Sequence, residues 1–189
     1  STQQIAGLTT TQISNLESTD VGELTATQLG ALSALQIRSL STTNLDALTT
    51  TQSAGLAALQ IKALTTTQVG TLGTTFLSGL TTSQVGQLLA TQVGALSTTN
   101  FNVLAATQVA ALTTVQVAGL TSTQIAALDT TDVTEFAATQ IAAITTTAIQ
   151  SLTTTNIAEL TSTQANAFTQ AQVSALSAEQ VEAWLEALG

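Results

Sequence analysis

The chain has 189 residues without Cys, His, Met, Pro or Tyr, with 2 Lys+Arg against 11 Asp+Glu and a formal net charge of -9. Disulfides, thiolate or imidazole metal sites and Cys or His catalysis are excluded, and nucleic-acid phosphates find almost no positive charge to meet. Only 7% of residues are charged and 3% aromatic while 44% are apolar, a balance that fits neither an ordinary globular domain nor a disordered chain, and no apolar run approaches the roughly 18 residues of a membrane span.

From Leu8 the chain reads as an uninterrupted repeat of eight. The first position runs Leu8, Leu16, Leu24, Leu32 and onward to Leu128, then Phe136, Ile144, Leu152, Leu160, Phe168, Leu176 and Trp184. The sixth runs from Ile5, Ile13 and Val21 to Val173 and Val181, weakened only at Ser53 and Ala165. The fifth is Gln, Asn or Asp except at Phe76 and Ala148, and positions two to four are mostly Thr, Ser or Ala. A continuous helix cannot use this pattern, because the Leu column drifts by about 80° per octad at 3.6 residues per turn. A continuous strand cannot use it either, because the odd spacing of the two columns points them to opposite faces. The chain must therefore turn once per octad.

In chain order, Thr9–Gln12, Thr25–Gln28, Ser33–Gln36, Thr49–Gln52, Thr65–Gln68, Thr81–Gln84 and Thr121–Gln124 carry the capping-box spacing of a helix start. Each box predicts a helix of about one and a half turns, in which the sixth-position residue and the next Leu share a face. Gly7, Gly55, Gly79 and Gly119, at position eight, read as helix stops. Helices so short need neighbours to stand, so the predicted fold is an all-α solenoid of very short capped helices, one per octad, over residues 1–176. The alternative is a β-solenoid with two octads per coil, which the Thr, Val and Ile content favours. Residues 177–189 read as a C-terminal capping helix of the same single domain, with Ser177 as N-cap, Gln180 as box partner and Gly189 as stop. There Trp184 serves as a plug for the core or as a partner-binding anchor.

A longer period lies in the exceptions. Asn44, Asn100 and Asn156 are spaced by seven octads, as are Leu59, Val115 and Ala171. Block duplication accounts for this, and so does a superhelical turn of seven octads.

Glu17, Asp20 and Glu23 recur in the same octad positions as Asp129, Asp132 and Glu135. Three carboxylates so spaced make weak candidate ligands for calcium, the one cofactor considered. No EF-hand loop or calcium β-roll run accompanies them, and acids near helix starts are favoured in any case. Arg38 and Lys62, the only cations, read as solvated charges. Nothing supplies a nucleophile with a base, so the chain reads as a non-enzyme. The Thr-rich turns raise a surface-, glycan- or ice-binding module as the alternative to a structural role.

These residues resemble the Leu-Thr-Thr-x-Gln-Val-x-Ala octapeptide tracts of large secreted bacterial surface and adhesin-like proteins, over essentially the whole chain. The resemblance implies an extracellular rod, stalk or filament component and carries over no functional residue. Ser1 opens the chain without Met or a signal peptide, which leaves a fragment and a processed subunit both open. The first unit, Ser1 to Gly7, lacks an octad-starting Leu and shows no polar cap, so head-to-tail self-association is the expected partnership. Neither nucleic-acid binding nor membrane insertion is expected.

Overall fold

The computed structural model describes residues 1–189 and is all-helical. Two compact units divide it, Ser1–Ala105 and Ala106–Gly189. The first holds α1 (Thr2–Ala6), α2 (Thr10–Ser14), α3 (Ser18–Gly22), α4 (Ala26–Gly30), α5 (Ala34–Arg38), α6 (Thr42–Asp46), α7 (Thr50–Ala54), α8 (Ala58–Ala63), α9 (Thr66–Gly70), α10 (Thr74–Gly79), α11 (Thr82–Val85), α12 (Ala90–Ala95) and α13 (Thr98–Asn102). The second holds α14 (Ala106–Ala110), α15 (Thr114–Val117), α16 (Ser122–Ala126), α17 (Thr130–Thr134), α18 (Ala138–Ile141), α19 (Thr146–Ile149), α20 (Thr154–Ala158), α21 (Ser162–Ala165), α22 (Gln170–Ala175) and α23 (Ala178–Leu188). No strand forms, so each unit is an α-solenoid and the β alternative is set aside.

Each octad turns at its first two positions. The Leu residue ends one helix in extended backbone, as at Leu64 (φ -57°, ψ 139°) and Leu80 (φ -67°, ψ 134°). The N-cap of the next helix is extended too, as at Thr49 (φ -70°, ψ 163°). The cap then fixes the new direction. The Thr49 hydroxyl oxygen accepts from the Gln52 amide at 3.3 Å, while Gln52 Oε1 accepts from the Thr49 amide at 2.9 Å. Such reciprocal boxes form at all seven positions that the sequence marks, Thr9, Thr25, Ser33, Thr49, Thr65, Thr81 and Thr121. Where Ala57 or Ala137 fills the cap position, the Gln60 or Gln140 oxygen still accepts the cap amide, and only the hydroxyl half is missing.

Gly7 and Gly55 stand at the C-caps of α1 and α7, as the sequence predicts, but without a left-handed backbone. Gly189 is the only residue with positive φ, and Gly7 and Gly55 have φ of -80° and -77°. The helices end instead by tightening: Leu8 donates its amide to the Ile5 carbonyl and Leu56 to the Ser53 carbonyl, a three-residue bond repeated octad after octad. The left-handed cap is unnecessary because the next residue simply extends. Glycine is used for space. A Cβ on Gly79 would lie 2.6 Å from Thr50 Cα and 2.8 Å from its carbonyl oxygen, and one on Gly55 would lie 2.6 Å from Ala26 Cβ.

Within each unit, helices pack mainly on the third helix along: α1 on α4, α5 on α8 and α9 on α12 in the first, α16 on α19 and α19 on α22 in the second. The two apolar columns form the core. Ile13, Val21, Leu29, Ile37 and Leu45 are wholly buried, and the first-position Leu residues from Leu32 to Leu160 are nearly so. Exceptions in the columns fall on packed pairs. The small Ser53 of α7 and the large Phe76 of α10 are both wholly buried on helices that pack together.

Candidate functional site: the faces between coils

The recurrent polar feature of the structure is the contact between successive coils. A helix of five residues leaves most of its terminal N–H and C=O groups without an internal partner. The fifth-position Gln satisfies both ends at once. Its oxygen takes the N-cap amide of its own helix, and its Nε2 donates to carbonyls that end helices of the preceding coil. Gln52 donates to Val21, Gly22 and Leu24 at 3.0, 3.3 and 2.8 Å, and Gln92 to Ile61, Lys62 and Leu64 at 3.1, 3.3 and 2.7 Å. In the second unit Gln164 reaches Val133, Thr134 and Phe136, and Gln172 reaches Ile141 and Ile144. These amides are buried, and no buried side-chain polar atom lacks a partner.

The recurrent partner lies 28 residues back, as for Gln52 to Leu24, Gln84 to Leu56 and Gln164 to Phe136. Twenty-eight residues are three octads plus the four that separate the fifth position from the first, in line with the packing of each helix on the third along. Asn44, Asn100 and Asn156 each donate to the carbonyl 28 residues back, at Leu16, Leu72 and Leu128. Their shorter arm keeps the coil bond and gives up the return bond to the N-cap, leaving the hydroxyl bond of Ser41, Ser97 or Thr153.

The double use of Gln is absent from the sequence reading, which gave it the cap alone. Its trace was there. Glu serves a capping box as well and suits a helix N-terminus better, yet Gln dominates the column, and only an amide both accepts and donates.

The first coil lacks acceptors for these donors. Gln4, Gln12 and Gln28 complete their capping boxes through Oε1, but their Nε2 atoms meet no acceptor, and Gln4 and Gln12 are exposed. Around them Ile5, Leu8, Leu16 and Leu24 are only half-buried, unlike the same columns higher up. Asp20, which cannot donate when ionised, stands in this coil, with its Oδ2 accepting from the Glu17 amide at 2.9 Å.

At the other end α23 runs 11 residues, against four to six for every other helix. It packs on α20 and α21, burying Ala183. Trp184 is half-buried, its ring centroid 6.4 Å from that of Phe168, and its Nε1 donates to the Ala165 carbonyl at 2.8 Å.

The six acidic candidates do not converge on a cation. Glu17, Asp20 and Glu23 are spread along α3 as N-cap, third residue and C-cap, and Asp129, Asp132 and Glu135 take the same places on α17. Asp129 and Asp132 face backbone: Asp129 Oδ1 accepts from the Asp132 amide at 2.8 Å and Asp132 Oδ2 from the Asp129 amide at 2.9 Å. No group of three or more acidic side chains is arranged to hold a metal ion. Burial raises the Asp132 carboxyl above its ordinary range, against the Asp129 backbone bond and with the Asp129 charge adding to the rise. Burial also raises Glu135, helped by the charges of Asp132 and Asp129. Arg38 and Lys62 are exposed on the last turns of α5 and α8.

A shallow depression of about 270 Å³ between α7, α8 and α11 is lined by residues that include Leu56, Ala58, Thr81, Ser83 and Gln87, hydroxyls and amides without a base. No helix is long and apolar enough to cross a membrane. Compared with known proteins, the chain matches no protein-family model, no curated protein and no solved structure.

Proposed function

We propose that the chain is a structural, non-enzymatic repeat subunit of an extracellular bacterial rod, stalk or filament, which associates head to tail through its coil faces. The observation that carries this reading is the matched chemistry of those faces. One face of every coil offers side-chain amide donors and the other offers helix-end carbonyls, as where Gln52 meets Leu24 and Gln84 meets Leu56. Two donor faces set against each other oppose donor to donor, so the favourable contact is polar and does not close on itself, the kind that builds filaments. The low charge content opposes it weakly. The extracellular setting rests on the resemblance to octapeptide tracts of bacterial surface proteins.

The capping of the helices also bears on the alternative Thr-face role. The second-position hydroxyls are committed to caps, as at Thr49, Thr65 and Thr81. A continuous flat hydroxyl lattice is therefore disfavoured.

The test is sedimentation velocity and negative-stain electron microscopy from micromolar to millimolar chain. The expected result is concentration-dependent linear association, weakened at least tenfold in Gln4→Ala/Gln12→Ala/Gln28→Ala. A single monomeric species throughout overturns the proposal.

A further inference from the structure

We infer that the outer face of α5 and α8 docks a second copy of the chain side by side, against the acidic face that α17 and α20 of that copy form. The contact is separate from head-to-tail stacking and uses neither end of the chain.

The docking face follows from what two octads place outward. Their fourth and seventh positions carry Leu35 and Arg38 on α5, and Leu59 and Lys62 on α8. Residues three apart share one side of a helix, and α5 packs on α8. The result is a row of two leucines beside a row of two cations. Leu35 is 67% exposed and Leu59 72%, and Arg38 and Lys62 are exposed as well. A single exposed leucine is ordinary. Here two of the five exposed large apolar side chains and both cations of the chain fall on one packed pair of helices. No acidic residue lies on α5 or α8, nor on α2 and α11, which pack against them.

The complementary face lies in the second unit. There α17 packs on α20, and the pair carries Asp129, Asp132, Glu135 and Glu159 without a cation. Glu135 and Glu159 are the C-caps of their helices, where negative charge is disfavoured. Their spacing matches the docking face: Arg38 and Lys62 are three octads apart on packed helices, and so are Glu135 and Glu159. At the fourth and seventh positions α17 and α20 expose Thr131, Thr134, Thr155 and Ala158. These short side chains leave room for Leu35 and Leu59 to lie flat while the cations reach the carboxylates. An anionic membrane surface would attract the same two cations, but it repels a chain of net charge -9 as a whole.

The experiment is sedimentation velocity in the background of Gln4→Ala/Gln12→Ala/Gln28→Ala, so that the side contact is read apart from head-to-tail stacking, with circular dichroism melting as the folding control. Arg38→Glu/Lys62→Glu and Glu135→Lys/Glu159→Lys are each expected to associate at least fivefold more weakly than the background chain, and their equimolar mixture to regain the association that each has lost. Leu35→Thr/Leu59→Thr, which keeps every charge, is expected to weaken it as well. Raised salt is expected to weaken the contact of the background chain, a readout that holds if a charge-reversed variant does not fold. Association unmoved by salt and by both reversals, or a mixture no tighter than its components, overturns the side contact and leaves head-to-tail stacking standing. Binding of the background chain to vesicles containing phosphatidylglycerol, lost in Arg38→Glu/Lys62→Glu and without association in solution, overturns the second copy as occupant. Monomers in every form overturn it too.

Discussion

At the scale of the residue, one side chain joins local and long-range order. Gln92 is 1% exposed and holds both its own N-cap and three carbonyls of the coil before it. Gln92→Glu keeps the acceptor, loses the donor and buries a charge, so it is expected to cost about 3 kcal/mol in urea unfolding. Gln12→Glu has the same chemistry on an exposed side chain with no coil beneath it, and is expected to change stability by about 0.5 kcal/mol or less. Equal effects at the two sites would show that the cap bond alone matters. Glycine divides along similar lines. Gly79→Ala drives a Cβ into the backbone of Thr50 and is expected to cost about 1–3 kcal/mol. Gly22→Ala meets nothing within 4 Å, so in a helical site it is expected to gain up to about 1 kcal/mol. Thermal melts of the pair check both signs.

At the scale of the element, α17 shows what happens when the octad takes carboxylates. Asp132 and Glu135 bind their protons more tightly in the fold than as free side chains. Protonation therefore favours the folded state. Their contribution to stability grows as pH falls through the raised folded values, is complete below the ordinary carboxylate range near pH ~4, and is absent at neutral pH. The melting temperature is expected to be higher near pH 4 than at pH 7. Asp132→Asn/Glu135→Gln should flatten that slope, which separates the two groups from the general relief of a net charge of -9. Further acidification works the other way at α23. Glu179 is held below its ordinary value, first by its backbone hydrogen bond and then by the Ser177 hydroxyl. Because the α17 carboxylates already serve as caps, millimolar calcium is expected to give no calorimetric heat and no rise in melting temperature. A saturable exotherm lost in Asp129→Asn/Asp132→Asn would show that the acids reorganise around the ion.

At the scale of the whole molecule, the fold is additive, since each coil is stabilised by its neighbours. Substitution of the exposed Leu35 and Leu59, which stand where most octads carry Thr or Ser, should therefore leave melting unchanged while reducing nonspecific adhesion. Leu35→Thr/Leu59→Thr tests this by melting and by retention on a hydrophobic column.

The sequence by itself determined the octad, its helix starts and its two core columns, because a capping box needs only residues three apart and an apolar face needs only a period. Thr9, Thr25, Ser33 and their successors open helices where their spacing to Gln requires it. Tertiary structure alone decided how many octads close a coil. That number depends on where Nε2 of Gln52 finds Leu24, 28 residues away, and no local pattern encodes that distance. It also decided that the glycines provide room rather than left-handed stops, and that Trp184 reaches back to Ala165. Each of these depends on a partner distant in the chain, and such a partner is fixed only once the coils stack.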